Sequence, residues 1–226
     1  MIRHPLHSLP VAALAAAAVA WFSFHPVPAP ADEDDGFVDL FDGESLEGWI
    51  VPDNQRVWRV DDGSIARRPA GGYIWTEGTY GDFILELEFK ISRGCNSGLF
   101  FRADRSNPVQ AGLEIQVLDS HGRDPGKHQQ GALYDAAAPL VNSAKPAGEW
   151  QTMRLHAEGP KLVVHINDEK VLDLDLDDWD TAGKNPDGSD NKYNKALKDF
   201  PREGHIGFQD HGADVWYRNV RLKELN

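Results

Sequence analysis

The sequence predicts an all-β fold, a sandwich of two antiparallel sheets, and three observations support this prediction. The helical period of 3.6 residues is almost absent. Short segments in which apolar and polar residues alternate recur along the chain, which is the period of a strand with one buried face. Turn pairs such as Asp42-Gly43, Asp62-Gly63, Asn167-Asp168 and Asp187-Gly188 separate these segments. Many short strands at such spacing are typical of β-sandwiches and jelly rolls.

The N-terminus has the pattern of an export signal, residues 1–31, ahead of a single domain, residues 32–226. Arg3 supplies a basic start, residues 11–24 form an apolar run rich in Ala, and Ala29-Pro30-Ala31 offers a small-residue cleavage site. The run is too short to cross a bilayer comfortably, which takes roughly 20 residues. We therefore expect an exported protein, periplasmic or extracellular in a bacterium; an uncleaved membrane anchor is the alternative.

Six alternating stretches define the strands that matter most for the fold. Their apolar, core-facing residues are Phe83, Leu85, Leu87, Phe89 and Ile91; Leu99 and Phe101; Leu113, Ile115 and Val117; Leu162, Val164 and Ile166; Leu172, Leu174 and Leu176; and Ile206 and Phe208. The main interruption is a polar loop, Asp177 to Pro201, in which we expect one short helix around Asn191 to Lys198. Loops of this length in a compact domain are often functional.

The charge balance limits the partners of the protein. The chain has 23 Lys and Arg against 36 Asp and Glu; loss of Arg3 with the signal leaves 22 basic residues and a net charge of −14. Such a surface argues against nucleic acid and, after signal cleavage, against an anionic membrane. Neutral ligands or cations fit better. The single Cys95 rules out an internal disulfide, and the pattern carries no signal for an oligomeric state.

The segment Gly112–Asp119 carries the most informative polar face. Glu114 and Gln116 alternate with core residues and lie about 7 Å apart, at roughly 3.3 Å of rise per residue. Asp119 follows at the end of the strand. A solvated sheet face usually carries Lys, Thr or Ser, so a carboxylate beside an amide suggests a surface that grips a polyol or moves a proton.

Two more strands present polar residues opposite their core residues. If they neighbour Gly112–Asp119, one shared face results, and a sugar cleft is the interpretation that the set favours. For each residue taken alone, a solvated face is the alternative. Glycines on this face remove side chains where a ligand could approach the backbone. The residues expected there are Asn96, Gly98, Phe100, Arg102, His205, Gly207, Gln209 and His211.

Three other polar features have plainer interpretations. The aspartates between Asp173 and Asp180 could hold calcium, but their alternation with Leu favours the solvated face of an edge strand. His121 and His128 flank a Gly- and Pro-rich loop without the spacing of a metal motif, which favours a solvent loop. Cys95 has no neighbouring base in the sequence, which argues against a thiol nucleophile.

The chain resembles the 3-keto-disaccharide hydrolase domain family, also described as 3-keto-glycoside hydrolases or lyases and formerly a family of unknown function. The resemblance covers essentially the whole chain after residue 31, in one order. It rests on FVDLFDGESLEGW (37–49), YGDFILELEFK (80–90), NSGLFFR (96–102), GLEIQVLD (112–119), GALYD (131–135), KPAGEWQ (145–151), GHIGFQDHG (204–212) and VWYRNVRLKEL (215–225).

The resemblance implies a concanavalin A-like jelly-roll sandwich and action on glycosides oxidised at C3. It also implies, residue by residue, a cleft that contains Glu114, Asp119 and His211, which we expect to be catalytic. The substrate-binding residues would be Asn96, Arg102, Gln116, Tyr134 and Gln209.

Chemistry on a 3-keto sugar needs one base, a group that holds an oxyanion, and an acid near the leaving oxygen. The ketone acidifies the C2 proton, so a base forms an enolate that expels the C1 substituent, and water then adds. We expect Glu114 to be the base and Asp119 or His211 to protonate the leaving group. Arg102 and Gln116 could polarise the ketone, as could a divalent cation more strongly; no cofactor is otherwise indicated.

Two other functions remain open. Glycosidases of related fold carry acids at i, i+2 and i+4 or i+5 of one strand, a pattern that Glu114, Gln116 and Asp119 echo with an amide in the middle. A β-bulge would be needed to bring Asp119 onto the face of Glu114, and double displacement wants two carboxyl groups about 5–5.5 Å apart. A conventional laminarinase-like glycosidase is therefore one alternative. A non-catalytic, lectin-like carbohydrate-binding module is the other.

Overall fold

The computed structural model describes Met1 and residues 36–52, 57–67 and 72–225. The predicted export signal, residues 1–31, lies outside the described residues except for Met1. Within the described part of the chain, no helix has the length and apolar character needed to span a bilayer.

Thirteen strands make up the described domain, so the predicted all-β class is confirmed. In chain order they are β1 (Val38–Asp39), β2 (Trp49–Ile50), β3 (Trp58–Asp61), β4 (Ser64–Arg67), β5 (Ile74–Tyr80), β6 (Phe83–Ile91), β7 (Asn96–Ala103), β8 (Leu113–Leu118), β9 (Gln151–Glu158), β10 (Lys161–Ile166), β11 (Glu169–Asp175), β12 (Gly204–Phe208) and β13 (Val215–Glu224).

The strands form two antiparallel sheets. The eight-stranded sheet has the order β11-β10-β9-β6-β13-β4-β3, with β1 paired to β13. The five-stranded sheet has the order β2-β5-β12-β7-β8. Neighbours in both sheets are mostly distant in sequence, as in a jelly roll, where strands cross between layers.

The core lies between the two sheets and follows from the alternation in the sequence. Strand β6 alternates perfectly between buried and half-buried residues, because the pleat sends successive side chains to opposite faces. The predicted core residues of β7, β8, β10 and β12 are likewise buried in one apolar cluster. Burying a large apolar side chain contributes about 1.5–3 kcal/mol, so this pattern fixes which face of each strand turns inward.

Strands β7 and β8 pair in a regular register that places the polar face as predicted. Asn96 pairs with Leu118, Gly98 with Gln116, and Phe100 with Glu114, with no bulge between them. Because the alternation is in phase on both strands, Glu114 and Gln116 point out of the sheet on the side away from the core. The outer face of the five-stranded sheet therefore carries the candidate site.

The late loop differs from the prediction in its secondary structure. No α-helix covers residues 191–198; the loop instead contains two 3-10 helices, Leu176–Asp178 and Leu197–Asp199. Buried apolar side chains hold the loop down, among them Trp179, Tyr193 and Phe200. A segment that anchors itself by scattered aromatic residues needs no helical repeat.

The first two aspartates of the acidic run, Asp173 and Asp175, lie where the alternation predicted, on an edge strand, whereas Asp177 and Asp178 lie in the 3-10 helix that follows. β11 ends the eight-stranded sheet. Asp173 pairs with Lys170 at 2.6 Å and Asp175 with Lys161 at 2.5 Å, all substantially exposed. Such exposed pairs contribute about 0–1 kcal/mol each, and charges on an edge strand also discourage pairing with another sheet.

Candidate active site

A cleft opens on the outer face of the five-stranded sheet. Its volume is about 370 Å³, within the range of small-molecule sites. Strands β7 and β8 supply its floor, and the loops beside them supply its walls. The residues that line it are Tyr73, Asn96, Val109, Glu114, Gln116, His128, Tyr134, Asp135, Lys192, Gln209 and His211. Six of the eight predicted site residues are among them; Arg102 and Asp119 lie elsewhere.

Glu114 lies almost buried in the floor, with 3% of its side chain exposed. Its Oε1 accepts a hydrogen bond from Gln209 Nε2 at 3.0 Å, and its Oε2 lies 3.5 Å from Lys192 Nζ. Burial raises the pKa of Glu114, and the charges of Lys192 and His211 and the bond from Gln209 offset only part of this effect. A carboxylate whose pKa is raised in this way takes up a proton more readily, which suits a general base.

Lys192 brings a positive charge to the cleft from the late loop. Its Nζ lies 4.5 Å from the centre of the Tyr134 ring and 5.1 Å from that of Tyr193. Burial lowers the pKa of Lys192, and the nearby carboxylates of Glu114 and Asp135 offset part of the shift. The cleft thus contains a carboxylate and an ammonium group that burial pushes towards their neutral forms.

An amide pair extends the floor beside Glu114. Gln116 Nε2 donates to Asn96 Oδ1 at 3.0 Å. The other end of the group, Gln116 Oε1, is buried and accepts no hydrogen bond from any described residue. Buried polar atoms are rarely left without a partner, so this acceptor is well suited to a hydroxyl group of a ligand.

Tyr73 forms an aromatic wall. Its ring stacks on Phe100 at 5.6 Å and meets the edge of Trp75 at 5.9 Å. These rings, with Ala103, form a small apolar cluster separate from the main core. An aromatic surface next to amides and a carboxylate presents both the apolar and the hydrogen-bonding groups that orient a small polar ligand.

Asp135 organises a second wall. Its Oδ1 contacts His128 Nε2 at 2.8 Å and Lys127 Nζ at 3.0 Å, and the His128 ring lies 4.9 Å from that of Tyr134. Burial alone would raise the pKa of Asp135, but the bonds from Lys127 and His128 outweigh it and the pKa is lowered. Asp135 is therefore an ionised anchor for His128.

Gln209 and His211 reach the cleft on the segment that follows β12. Ser97 Oγ donates to the backbone oxygen of Gln209 at 2.7 Å. Between the two site residues, Asp210 forms a buried ion pair with Arg67, and only 3% and 2% of their side chains are exposed. This ion pair fixes the turn, while His211 stays exposed at the rim of the cleft.

The structure does not place Arg102 in the cleft, contrary to the prediction. Arg102 has a φ of +46°, which breaks the alternation of β7 and turns its side chain away from the outer face. Its guanidinium group donates to the backbone oxygens of Gly81 at 2.9 Å and Gly159 at 2.7 Å, and bonds Asp82 at 2.8 Å. Arg102 is thus a buried structural residue.

Asp119 is also absent from the cleft. It lies five residues after Glu114, and without a bulge in β8 an odd offset points to the opposite face. Its carboxylate accepts a hydrogen bond from the backbone nitrogen of Gly94 at 2.7 Å. Asp119 therefore closes the turn before β7 and cannot reach the leaving group of a ligand bound at Glu114.

The two glycines of the outer face make room for side chains of the protein itself, where a ligand was expected. A Cβ at Gly98 would meet Glu114 Cγ at 2.9 Å, and a Cβ at Gly207 would collide with the Trp75 ring and meet the backbone oxygen of Ile74 at 2.7 Å. Gly98 thus lets the Glu114 side chain lie flat on the sheet, and Gly207 does the same for Trp75.

Five residues that line the cleft were not predicted individually: Tyr73, Val109, His128, Asp135 and Lys192. His128 was assigned to a solvent loop because its spacing fits no metal motif, and Lys192 lies in the late loop that was expected to be functional for its length alone. Asp135 belongs to the GALYD segment, which carried the resemblance but no assigned role. Neither Tyr73 nor Val109 lies in a segment whose pattern predicted a site.

The remaining titratable candidates contribute no further site. Cys95 is buried, and burial raises its pKa to about 12, so the thiol stays protonated at neutral pH. His121 Nδ1 lies 2.7 Å from the backbone oxygen of Ala144, outside the cleft. Among the described residues, no three His, Cys, Asp or Glu side chains come close enough together to hold a metal ion.

Comparison with known proteins by sequence identifies the family. Residues 36–223 match the family described as the 3-keto-alpha-glucoside-1,2-lyase-like domain. A protein named 3-keto-disaccharide hydrolase from Bacteroides thetaiotaomicron is 33% identical, in an alignment that covers 87% of this chain and 81% of the relative.

Solved structures agree with the fold. A crystal structure titled "Putative glycosyl hydrolase" from Parabacteroides distasonis is 32% identical, with a TM-score of 0.77 over 84% of this chain and 99% of that chain. A carbohydrate-binding module from Bacillus subtilis shares the fold alone, at 19% identity and a TM-score of 0.53 over 78% of this chain and 96% of that one. The resemblance seen in the sequence is confirmed, and the chain belongs to the 3-keto-alpha-glucoside-1,2-lyase-like family.

Proposed function

We propose that this protein cleaves the glycosidic bond of 3-keto-glycosides, 3-keto-disaccharides among them, by elimination followed by hydration. The 33% identical relative named as a hydrolase supports a glycoside-cleaving function at the coarser level. The observation that carries the finer proposal is the single buried carboxylate at the centre of the floor. Glu114 has amides as its polar neighbours on the sheet, Gln116 and Gln209, where a second acid would be needed for double displacement.

Glu114 is the base in this proposal. Its raised pKa lets it accept the C2 proton of a substrate whose C3 ketone has acidified that position. Gln116 Oε1, which accepts no hydrogen bond from the described part of the chain, takes a sugar hydroxyl, and Tyr73 packs against the apolar side of the ring. Because Asp119 faces away, His211 at the rim is the candidate that protonates the leaving oxygen.

Incubation with 3-keto-sucrose and 3-keto-trehalose, followed by mass detection of products, tests the reaction class. We expect release of one unmodified sugar, with the keto-sugar half recovered as the enone or its hydrate. The same reactions run with a chelator report on a divalent cation, since turnover that depends on one is lost on chelation. Binding of keto-glycosides without turnover would instead indicate a carbohydrate-binding module. Reducing sugar released from an unoxidised β-glucan would indicate a conventional glycosidase.

Export is a further part of the proposal. The basic start, the apolar run and the Ala29-Pro30-Ala31 site support cleavage before Asp32. We expect N-terminal sequencing of the protein recovered from the periplasm or medium to begin at Asp32. Recovery of the whole chain in the membrane fraction would indicate the uncleaved anchor.

A further inference from the structure

We propose that Lys192 is a catalytic residue of this site: its ammonium group faces the ketone oxygen of the substrate and holds the enolate oxygen once Glu114 has taken the C2 proton. This inference rests on the proposed function. It assigns the group that holds the oxyanion, a role for which the sequence suggested Arg102, Gln116 or a divalent cation.

Contacts on both sides of Lys192 hold the backbone of the late loop in place. Gln110 Nε2 donates to the backbone oxygen of Lys192 at 2.8 Å, and Gln110 Oε1 accepts from the backbone nitrogen of Asn194 at 3.0 Å. The next residue, Tyr193, is buried in the main core. The backbone at Lys192 is therefore fixed on both flanks, and the side chain extends from a rigid base, as a preorganised charge requires.

The surroundings of the ammonium group leave one side open to the cleft. Glu114 Oε2 lies 3.5 Å from Nζ, and the rings of Tyr134 and Tyr193 lie 4.5 and 5.1 Å away. The side chain keeps 17% of its surface exposed, against 3% for Glu114. An ammonium group has three donors, and aromatic faces satisfy it only by their quadrupole, so it can donate to a ligand oxygen.

Other cations near the cleft are already engaged. Lys192 is the only lysine or arginine among the described lining residues. Arg102 is bound at the seam between the sheets, and Lys127 bonds Asp135 and the backbone oxygen of Asp190. A neutral amide such as Gln116 stabilises a developing oxyanion less than a charge does.

The electron movement also suits an ion pair. The C2–H bond breaks, its proton passes to Glu114, and its electron pair forms the C2–C3 double bond as negative charge develops on the C3 oxygen. The enolate then re-forms the C3 carbonyl, a C1–C2 double bond appears, and the C1–O bond breaks with protonation of the leaving oxygen. As Glu114 becomes neutral, negative charge develops on the C3 oxygen, which Lys192 can also contact. The ammonium group of Lys192 thus exchanges one anionic partner, Glu114, for another, the enolate oxygen.

Exchange of the C2 proton isolates this step from cleavage. The 3-keto derivative of 1,5-anhydroglucitol has no exocyclic leaving group at C1, so its C2 proton can exchange with D₂O, as followed by NMR, without cleavage of a glycosidic bond. We expect wild-type protein to catalyse exchange and Glu114→Gln to abolish it. Lys192→Met should lower the exchange rate and the turnover of 3-keto-sucrose by about 10²–10³-fold, and Lys192→Arg should restore part of both.

The pH dependence separates a catalytic Lys192 from one that only tunes Glu114. The charged groups that face Glu114 are Lys192 and His211, and those that face Lys192 are Glu114 and Asp135; Tyr73, Tyr134 and Tyr193 also adjoin the pair. Loss of Lys192 moves the acid limb of the rate profile to higher pH, so the variants are compared above that limb. A Lys192→Met plateau equal to that of wild type would overturn the inference while leaving the proposed function intact. Wild-type protein with neither exchange nor turnover would overturn both.

Chemical rescue covers the case in which Lys192→Met folds poorly. Lys192→Cys treated with 2-bromoethylamine regains an ammonium group on a side chain of nearly lysine length. The natural Cys95 is buried, and burial raises its pKa to about 12, so the reagent distinguishes the two thiols. We expect the alkylated protein to recover exchange that the unmodified variant lacks. Equal rates before and after alkylation would contradict the inference.

Discussion

At the scale of single residues, the behaviour of Glu114 is set by the sheet on which it lies. Its side chain rests over Gly98, its two oxygens meet an amide and an ammonium group, and very little of it reaches solvent. Burial of a carboxylate favours its neutral form. The Lys192 charge compensates only in part, and the result is a base that needs little further help to accept a proton.

The two acids of the strand offer a matched pair of variants. We expect Glu114→Gln to lower turnover of a 3-keto-disaccharide by about 10²–10⁴-fold, the usual contribution of a general base. Asp119→Asn should leave turnover within a few-fold, because its carboxylate bonds the Gly94 turn and lies outside the cleft. It should lower the free energy of unfolding by about 1 kcal/mol. Steady-state kinetics and urea unfolding check both, and loss of turnover in Asp119→Asn alone would contradict the assignment.

The pH profile of the C2 proton-exchange rate, which needs no proton from His211 for a leaving group, should be bell-shaped. Because burial raises the pKa of Glu114, the acid limb should lie above the value for exposed glutamate, about 4.3. Because burial lowers the pKa of Lys192, the alkaline limb should lie below about 10.4.

The raised pKa of Glu114 also makes the free energy of unfolding depend on pH, in the direction opposite to that of the acid limb of the rate. The folded state holds the Glu114 proton more tightly than the unfolded chain, so this group stabilises the fold at low pH. That contribution is lost as pH rises through the pKa of Glu114 in the folded state.

For the rate prediction, an acid limb at the pKa of exposed glutamate would show that burial does not govern the base.

For single residues, the alternation of the sequence predicted the face of the strand on which a side chain lies, but it did not predict local changes of backbone conformation. Glu114, Gln116 and Asn96 share a face because even offsets on paired strands must do so. The same rule, applied strictly, excludes Asp119. The positive φ that turns Arg102 away has no signature in alternation, since arginine is not a residue type that favours that region.

At the scale of elements, the late loop is a second source of site residues and is held by specific anchors. Asn185 donates to the backbone oxygen of Asp135 at 3.3 Å and accepts from Trp179 Nε1 at 3.0 Å. Gln110 bonds the backbone on both sides of Lys192. The loop is thereby tied both to its own aromatic residues and to the wall that contains Asp135.

We expect Gln110→Ala to lower kcat/KM by about 10- to 100-fold, since displacement of a catalytic group by about 1 Å can cost that much. Lys184→Ala, in the late loop that Gln110 contacts, is the control. Its ion pair with Asp190 is exposed and should contribute about 0–1 kcal/mol to stability and nothing to turnover. Kinetics of both variants, with thermal unfolding, test this; equal activities would show that the loop needs no clamp at Gln110.

Elements with a strong period were predictable, and the loop was not. The core strands follow from alternation alone, because a slip of one residue would expose an entire apolar face. The late loop instead folds through scattered contacts such as Tyr193 against Phe200, which no repeat encodes. Its length marked it as functional, but the helix expected within it is replaced by two 3-10 helices.

At the scale of the whole domain, the two sheets present outer faces of different chemistry. A larger groove, of about 740 Å³, lies on the outer face of the eight-stranded sheet. There Glu86 is held by Arg154 and Arg221, and Glu88 by Arg218 and Asn219. These carboxylate and guanidinium charges compensate one another. The smaller cleft instead keeps an acid with a raised pKa, Glu114, and an amide oxygen, Gln116 Oε1, that accepts no hydrogen bond from the residues that the structure describes.

Arg102 belongs to this scale because it joins the two sheets at one end. It extends from β7 to the turns before β6 and after β9. We expect Arg102→Met to lower the free energy of unfolding by about 2–3 kcal/mol, less than a fully buried pair because the Asp82 side chain is 38% exposed. Turnover at a temperature where the variant stays folded should persist. Lys170→Met, in an exposed pair, is the control, and selective loss of turnover in Arg102→Met would return Arg102 to the site.

The contact between Gly98 and Glu114 makes these two positions a single heritable unit. A sandwich protein that acquired a glutamate on β8 would gain no base while the neighbouring strand kept a side chain at position 98, because that side chain would displace the carboxyl group. To move this chemistry onto another scaffold, the side chain at the position of Gly98 therefore has to be removed before the glutamate is introduced. Among relatives, Gly98 should be replaced by larger residues only where the acid at position 114 has also been lost.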